Sequence, residues 1–141
     1  MIIPDVNVLI HAYNTASPVH QEAAAWWRKL MDDGTPVGLP WVSTLGFIRI
    51  MTNRGRGGPA MTVATAMGHV REWLQRPAVR ILHPGERHAD ILFSFLENLG
   101  TAGNLTTDAH LAALALEYRA ELISCDTDFA RFPHLRWRKP F

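Results

Sequence analysis

The sequence predicts an α/β protein with a mostly parallel sheet covered by helices on both faces. Short apolar runs ("MIIP", "TPVGLP", "AVRILHP", "AELISC") alternate with longer stretches of helical pattern, as strands joined by crossover helices require. The chain has 141 residues, 48% of them hydrophobic, enough for one domain over residues 1–141 with a real core. Its acids gather at strand and helix ends, where open parallel sheets keep their sites.

Each element follows from local chemistry. Met1 to Pro4 reads as a buried strand. Pro4 ends it, because proline donates no ladder hydrogen bond and holds Ile3 extended. A short helix carrying Val8, Leu9 and Ala12 comes next. "SPVHQEAAAWWRKLMDDG" has a Ser-Pro start, an alanine-rich body and a glycine stop, a helix signature. "TPVGLP" is a short strand. "WVSTLGFIRIMTN" reads as a helix, although Ile48 and Ile50 would suit a strand. "NRGRGGP" is a loop. "MTVATAMGHVREWLQ" is a helix ended by Arg76 and Pro77, and "AVRILHP" a strand. "GERHADILFSFLENLG" is a helix closed by Gly100. After the "TAGNLT" loop, "TDAHLAALALEYR" is a helix and "AELISC" a buried strand. "DTDFARF" is a turn with a helical piece, and "LRWRKP" a last strand. No repeat, linker or low-complexity tract interrupts the series.

Composition excludes several classes. The formal net charge is +1, too balanced to announce a nucleic-acid binder from bulk charge. A single cysteine, Cys125, rules out an intramolecular disulfide and a thiolate zinc site; it ends an apolar strand and reads as a small buried side chain. No run suits a membrane span, and the first ten residues lack a signal-peptide pattern, so a cytoplasmic protein is expected. The seven histidines show no HExxH-type spacing. His110 is expected exposed, and His20, His69 and His88 at the surface or partly buried. Of the adjacent Trp26 and Trp27, at least one belongs to the core.

The acids carry the chemistry. Asp5 follows the first strand. Asp126 follows "ELISC", with Asp128 two residues on. Asp108 shares a helical stripe with Leu111, Ala112 and Ala115, so it tops the buried side of its helix, where the helix N-terminus favours an anion. Each acid also has a structural reading: Asp5 as an N-cap, Asp126 and Asp128 as an Asx turn, and Asp108 as a dipole partner behind Thr107 as the cap. Asp128 reads as a turn residue before a ligand. Together, acids at one sheet edge favour a cation held by Asp5, Asp108 and Asp126. Two carboxylates 4 Å apart repel by roughly 4 kcal/mol at an effective dielectric near 20. Oxygen ligands suit Mg²⁺, with Mn²⁺ the alternative. Phosphodiester hydrolysis is the expected chemistry.

"PDVNVLIHAY" at the start and "NLTTDAHLAALALEYRAELISCDTDFARFPHLRW" at the end resemble PIN-domain proteins, and within them VapC-type toxins of toxin–antitoxin pairs. The resemblance covers nearly the whole chain. It implies a three-layer α/β/α PIN-like fold and a Mg²⁺-dependent endoribonuclease held by clustered acids. It also implies a small antitoxin that blocks the site and binds DNA, and a homodimer of the free toxin. By position it carries over Asp5, Asp108 and Asp126 as the acids, Ser124 as the small hydroxyl residue, and Asp128 as the second acid of the turn. Asn7 is expected as a supporting hydrogen-bonder. The family's middle-helix segment resembles E-F-L-R; here "GFIRI" places Gly46 where the glutamate stands and keeps Arg49. Ser43, Thr44 or water are candidates for that gap, and one Mg²⁺ is expected rather than two.

Arg49, Arg54 and Arg56 are candidates for RNA phosphate contacts, with a solvated loop as the other reading of Arg54 and Arg56. Single-stranded or loop RNA, within tRNA, rRNA or mRNA, is the expected substrate. A PIN-like module with weakened activity that only binds RNA or protein is the alternative, with Gly46 its support. A receiver domain lacks its mid-chain phosphoacceptor here. A DNA-directed nuclease of the same fold stays open, because no residue is set to read a 2′-hydroxyl.

Overall fold

The computed structural model describes residues 1–56 and 58–141, with Arg56 described by its backbone alone. Five short strands run parallel: Ile2–Pro4 (β1), Val37–Pro40 (β2), Val79–Leu82 (β3), Glu121–Ile123 (β4) and Trp137–Arg138 (β5). Their order is β3-β2-β1-β4-β5. The helices are Val6–Tyr13 (α1), His20–Asp32 (α2), Trp41–Met51 (α3), Val63–Leu74 (α4), His88–Leu99 (α5) and Thr106–Glu117 (α6). The α/β/α expectation is met. The first strand lies at the centre, with Ile2 opposite Val37 and Pro4 opposite Ile123. The ends of β1 and β4 therefore sit side by side at the carboxyl edge.

The two sheet faces bury separate cores. On one, Leu9, Trp27, Val37, Leu39, Phe47, Val70 and Trp73 pack beneath α1 to α4. On the other, Ile3, Leu82, Phe95, Leu111, Leu114, Leu122 and Phe129 pack with α5 and α6. The first core centres on an aromatic group: the Trp73 ring lies 4.8 Å from Phe47 and 5.3 Å from Trp27. Trp73 Nε1 donates to the Tyr13 hydroxyl at 2.8 Å.

The helix expected at "WVSTLGFIRIMTN" forms, and three other segments differ in detail from the sequence expectation. "WVSTLGFIRIMTN" is helical throughout its core, because helical spacing buries Phe47 and Met51; tertiary burial outweighs the β-propensity of Ile48 and Ile50. The "NRGRGGP" and "TAGNLT" loops contain 3-10 turns at Arg54–Arg56 and Gly103–Leu105. β4 ends at Ile123, so Ser124 and Cys125 lie just past the strand. The α5 helix closes on Gly100 at φ 68°, a left-handed cap that glycine adopts without a Cβ penalty. In α6, Ala109 and Leu111 to Ala115 are all buried. Four alanines in that helix let its backbone lie close to the sheet.

Trp73→Ala should lower the unfolding free energy by about 3–5 kcal/mol, the cost of emptying a large aromatic site. Trp41→Ala, at a position 47% exposed, should change it by no more than about 0.5 kcal/mol. Urea unfolding of both variants checks the contrast.

Candidate metal centre

Asp5 leaves β1 in extended geometry and caps α1, its Oδ1 accepting from Val6 N at 2.6 Å. Its Oδ2 accepts from Asn7 Nδ2 at 2.7 Å and from the Ser124 hydroxyl at 2.7 Å. Asp5 is 6% exposed. Burial pushes its pKa up, opposed by the Ser124 and Val6 hydrogen bonds, and the Asp126 charge adds to the rise.

Asn7 and Ser124 latch the ends of β1 and β4 together. Asn7 Nδ2 also donates to Ser124 Oγ at 2.9 Å, and Asn7 Oδ1 accepts from Cys125 N at 3.2 Å. Ser124 Oγ further accepts from Asp126 N at 3.0 Å. The hydroxyl thus uses its one donor and both acceptor sites. Asp126 caps the 3-10 turn Thr127–Arg131, accepting from Asp128 N at 2.8 Å. The cap and turn readings of Asp5 and Asp126 hold alongside the acid clustering.

Asp108 lies in the first turn of α6, whose N-cap position is Leu105 without a side-chain cap. Thr107 is therefore not the cap; the neighbouring Thr106 hydroxyl donates to Gly103 O at 2.8 Å. Burial first, then the charges of Asp5, Asp126 and Asp128, push the Asp108 pKa up to about 6.

One carboxylate oxygen from each of Asp108, Asp126 and Asp128 lies within 4.8 Å of the others. The structure thus gathers Asp128 with Asp108 and Asp126, and sets Asp5 beside them with both oxygens already accepting hydrogen bonds. At such separations each charged pair repels by roughly 3–4 kcal/mol at an effective dielectric near 20. The gathered donors are oxygens only, without sulfur or imidazole. That set fits a hard divalent cation such as Mg²⁺ or Mn²⁺.

Residues 2–135 match the PIN domain family. Ribonuclease VapC33 of Mycobacterium tuberculosis is 46% identical over 140 residues, covering 99% of this chain and 98% of that protein. Ribonuclease VapC37 of the same species is 41% identical, covering 99% and 97%. This chain belongs to the PIN domain family, in its VapC group. Two solved structures share the fold at low identity. VapBC2 from Rickettsia felis, bound to a promoter DNA fragment, matches with TM-score 0.70, 14% identity and coverage of 99% and 98%. Mycobacterium tuberculosis VapC20, a sarcin-ricin loop cleaving toxin, matches with TM-score 0.69, 17% identity and coverage of 96% and 99%.

Gly46, at the place of the expected PIN-domain glutamate, packs against the start of α1. A Cβ there would lie 3.0 Å from Val6 Cγ2, so a larger residue must displace the side chain next to Asp5. Of the two hydroxyls named for the gap, Thr44 is committed to Pro40 O and Trp41 O at 3.3 and 3.0 Å. Ser43 is buried, and its Oγ has no partner among the described residues. Arg49 and Arg54 are exposed; the Arg56 side chain lies outside the described residues.

Two histidine expectations are corrected. His88 is buried rather than at the surface or partly buried, and His110 is half-buried rather than exposed. His88 Nδ1 lies 3.1 Å from Glu117 Oε1, and its Nε2 lies 2.9 Å from His110 Nδ1. Burial, then His88, pushes the His110 pKa down. This chain ties the start of α5 to α6. Its only sequence signal is the seven-residue spacing of His110 and Glu117, two helical turns on one face. Cys125, expected buried, is partly exposed.

The Asp108 shift has a consequence for stability. Its folded pKa, about 6, lies above the ordinary carboxyl value of 3.8, so the native state binds its proton more tightly than the unfolded state. Stability at this residue is therefore lost as pH rises through that window and regained as it falls. In metal-stripped protein at pH 8, Asp108→Asn should melt above wild type, by about 2–4 °C per kcal/mol of relieved repulsion. The gap should narrow as pH falls through about 6 and close as it nears 3.8. Scanning calorimetry across this range decides; an Asn variant that melts no higher at pH 8 contradicts the crowding.

Proposed function

We propose that this protein is a Mg²⁺-dependent endoribonuclease, the toxin of a VapBC pair, that hydrolyses phosphodiester bonds in single-stranded or loop RNA. The carrying observation is the gathering of the Asp108, Asp126 and Asp128 oxygens within 4.8 Å, where burial and the neighbouring carboxylates push the Asp108 pKa up. The VapC names of the similar ribonucleases support the activity.

In this reading Asp5, Asp108, Asp126 and Asp128 hold Mg²⁺, or Mn²⁺, directly or through water. When bound, the cation supplies positive charge for the scissile phosphate and acidifies a water. Asn7 and Ser124 hold Asp5 in one orientation, and Ser124 positions Asp126 through its backbone N–H. This fixed latch lets the carboxylates meet a cation without rearrangement, which is how a positioned charge contributes to rate. Arg49, Arg54 and Arg56 remain candidates for RNA contact.

An antitoxin partner is part of the proposal, supported by VapBC structures among the fold neighbours. A homodimer is also proposed. Trp41 and Leu45 on α3 and Phe93 on α5 are 47%, 58% and 58% exposed, and they offer apolar area for such contacts. Gly46 favours a second reading, a PIN-like module that binds RNA or protein with weakened catalysis.

Cleavage of labelled RNA with and without Mg²⁺, beside a DNA of the same sequence, tests these readings. The wild type should cut RNA only with Mg²⁺. The Asp5→Asn, Asp108→Asn double variant should lose about 10²-fold or more in rate, as when a positioned charge stabiliser is removed. Equal rates for both proteins would end the nuclease assignment. Calorimetric Mg²⁺ binding without cleavage would favour the binding module.

A further inference from the structure

RNA approaching the acid cluster meets repulsion, so its backbone needs cations at the rim. The sequence directs attention to Arg49, Arg54 and Arg56. The sheet register directs it elsewhere. β5 pairs with β4 with Leu122 opposite Trp137 and Ile123 opposite Arg138. The ladder continues past the strand end, with Ser124 N donating to Arg138 O at 3.2 Å. One step further, Lys139 falls beside Ser124, the residue whose hydroxyl holds Asp5 and the Asp126 backbone.

The basic residues near Lys139 are already engaged. Arg138 Nε pairs with Glu121 at 3.1 Å, and Arg136 donates to the Arg119 carbonyl. Lys139 is exposed, and its ammonium has no carboxylate partner among the described residues.

We propose that Lys139 is a substrate-positioning residue whose ammonium binds a backbone phosphate of RNA lying across the acid cluster. The inference rests on the ribonuclease reading. A compact ammonium on a flexible stem suits a phosphate as a point charge. The competing role is that of a counter-charge to the acids, and the two roles move different observables.

Binding of a short fluorescein-labelled single-stranded RNA is followed by anisotropy with Mg²⁺ present. The full chain carries Asp108→Asn to slow cleavage, and salt runs from about 50 to 200 mM. Adding Lys139→Gln should weaken binding roughly threefold to tenfold and lower the slope of log affinity against log salt by about 0.7, one single-strand phosphate. Lys139→Arg should restore both. In the otherwise wild-type chain, Lys139→Gln should leave calorimetric Mg²⁺ affinity unchanged. An unchanged salt slope overturns the proposal, as does tighter Mg²⁺ binding with RNA binding unaltered, which assigns Lys139 to the acids alone. The expected slope change in a protein whose wild type cuts no RNA would sink the nuclease reading and leave the phosphate contact standing.

Discussion

Carboxylate crowding at the carboxyl edge of the sheet is the constraint around which the molecule is arranged. The first and fourth strands are neighbours, and α6 begins over the same edge. Asp5, Asp108, Asp126 and Asp128 therefore converge from three parts of the chain. Burial and mutual repulsion raise the Asp108 pKa to about 6. Such a cluster is costly unless a proton or a cation joins it.

The surrounding fold holds that cluster in place. Ser124 and Asn7 join segments 117 residues apart in sequence at 2.9 Å. Their hydrogen bonds go to each other, to Asp5 and to the backbone N–H groups of Cys125 and Asp126. Below them, the alanine-rich α6 is buried almost all round, so the Asp108 end cannot drift without disturbing the core. The His110–His88–Glu117 chain ties α5 to the opposite side of that helix. On the other face, the aromatic group around Trp73 anchors α1 and α3, which bring Asp5 and Gly46 together.

Much of this was legible in the sequence because short-range chemistry encodes it. The polar Asp5 in an apolar run, the Pro4 strand end and the Asp108 stripe each follow from local pattern, and the alternation of strands and helices gives the parallel sheet. What was not legible depends on long-range geometry. Asp128 joins Asp108 and Asp126 because of how the Asp126-capped turn folds. The second hydrogen bond to Asp5 Oδ2 needs Ser124 from the far end of the chain. His88 and His110 meet through the packing of α5 on α6, which neither helix pattern specifies. Strand register alone sets Lys139 beside Ser124, and packing alone sets Val6 Cγ2 3.0 Å from where a Cβ on Gly46 would stand.

The most direct test is the number of protons released when Mg²⁺ binds. A raised carboxylate must give up its proton to a cation, so binding and titration are linked. Calorimetry at pH 6 in two buffers of different ionisation enthalpy reads that number. An Asp108 pKa of about 6 predicts release of roughly half a proton per ion at pH 6 and almost none at pH 8. Binding without proton release at pH 6, or no Mg²⁺ binding at either pH, would contradict the account.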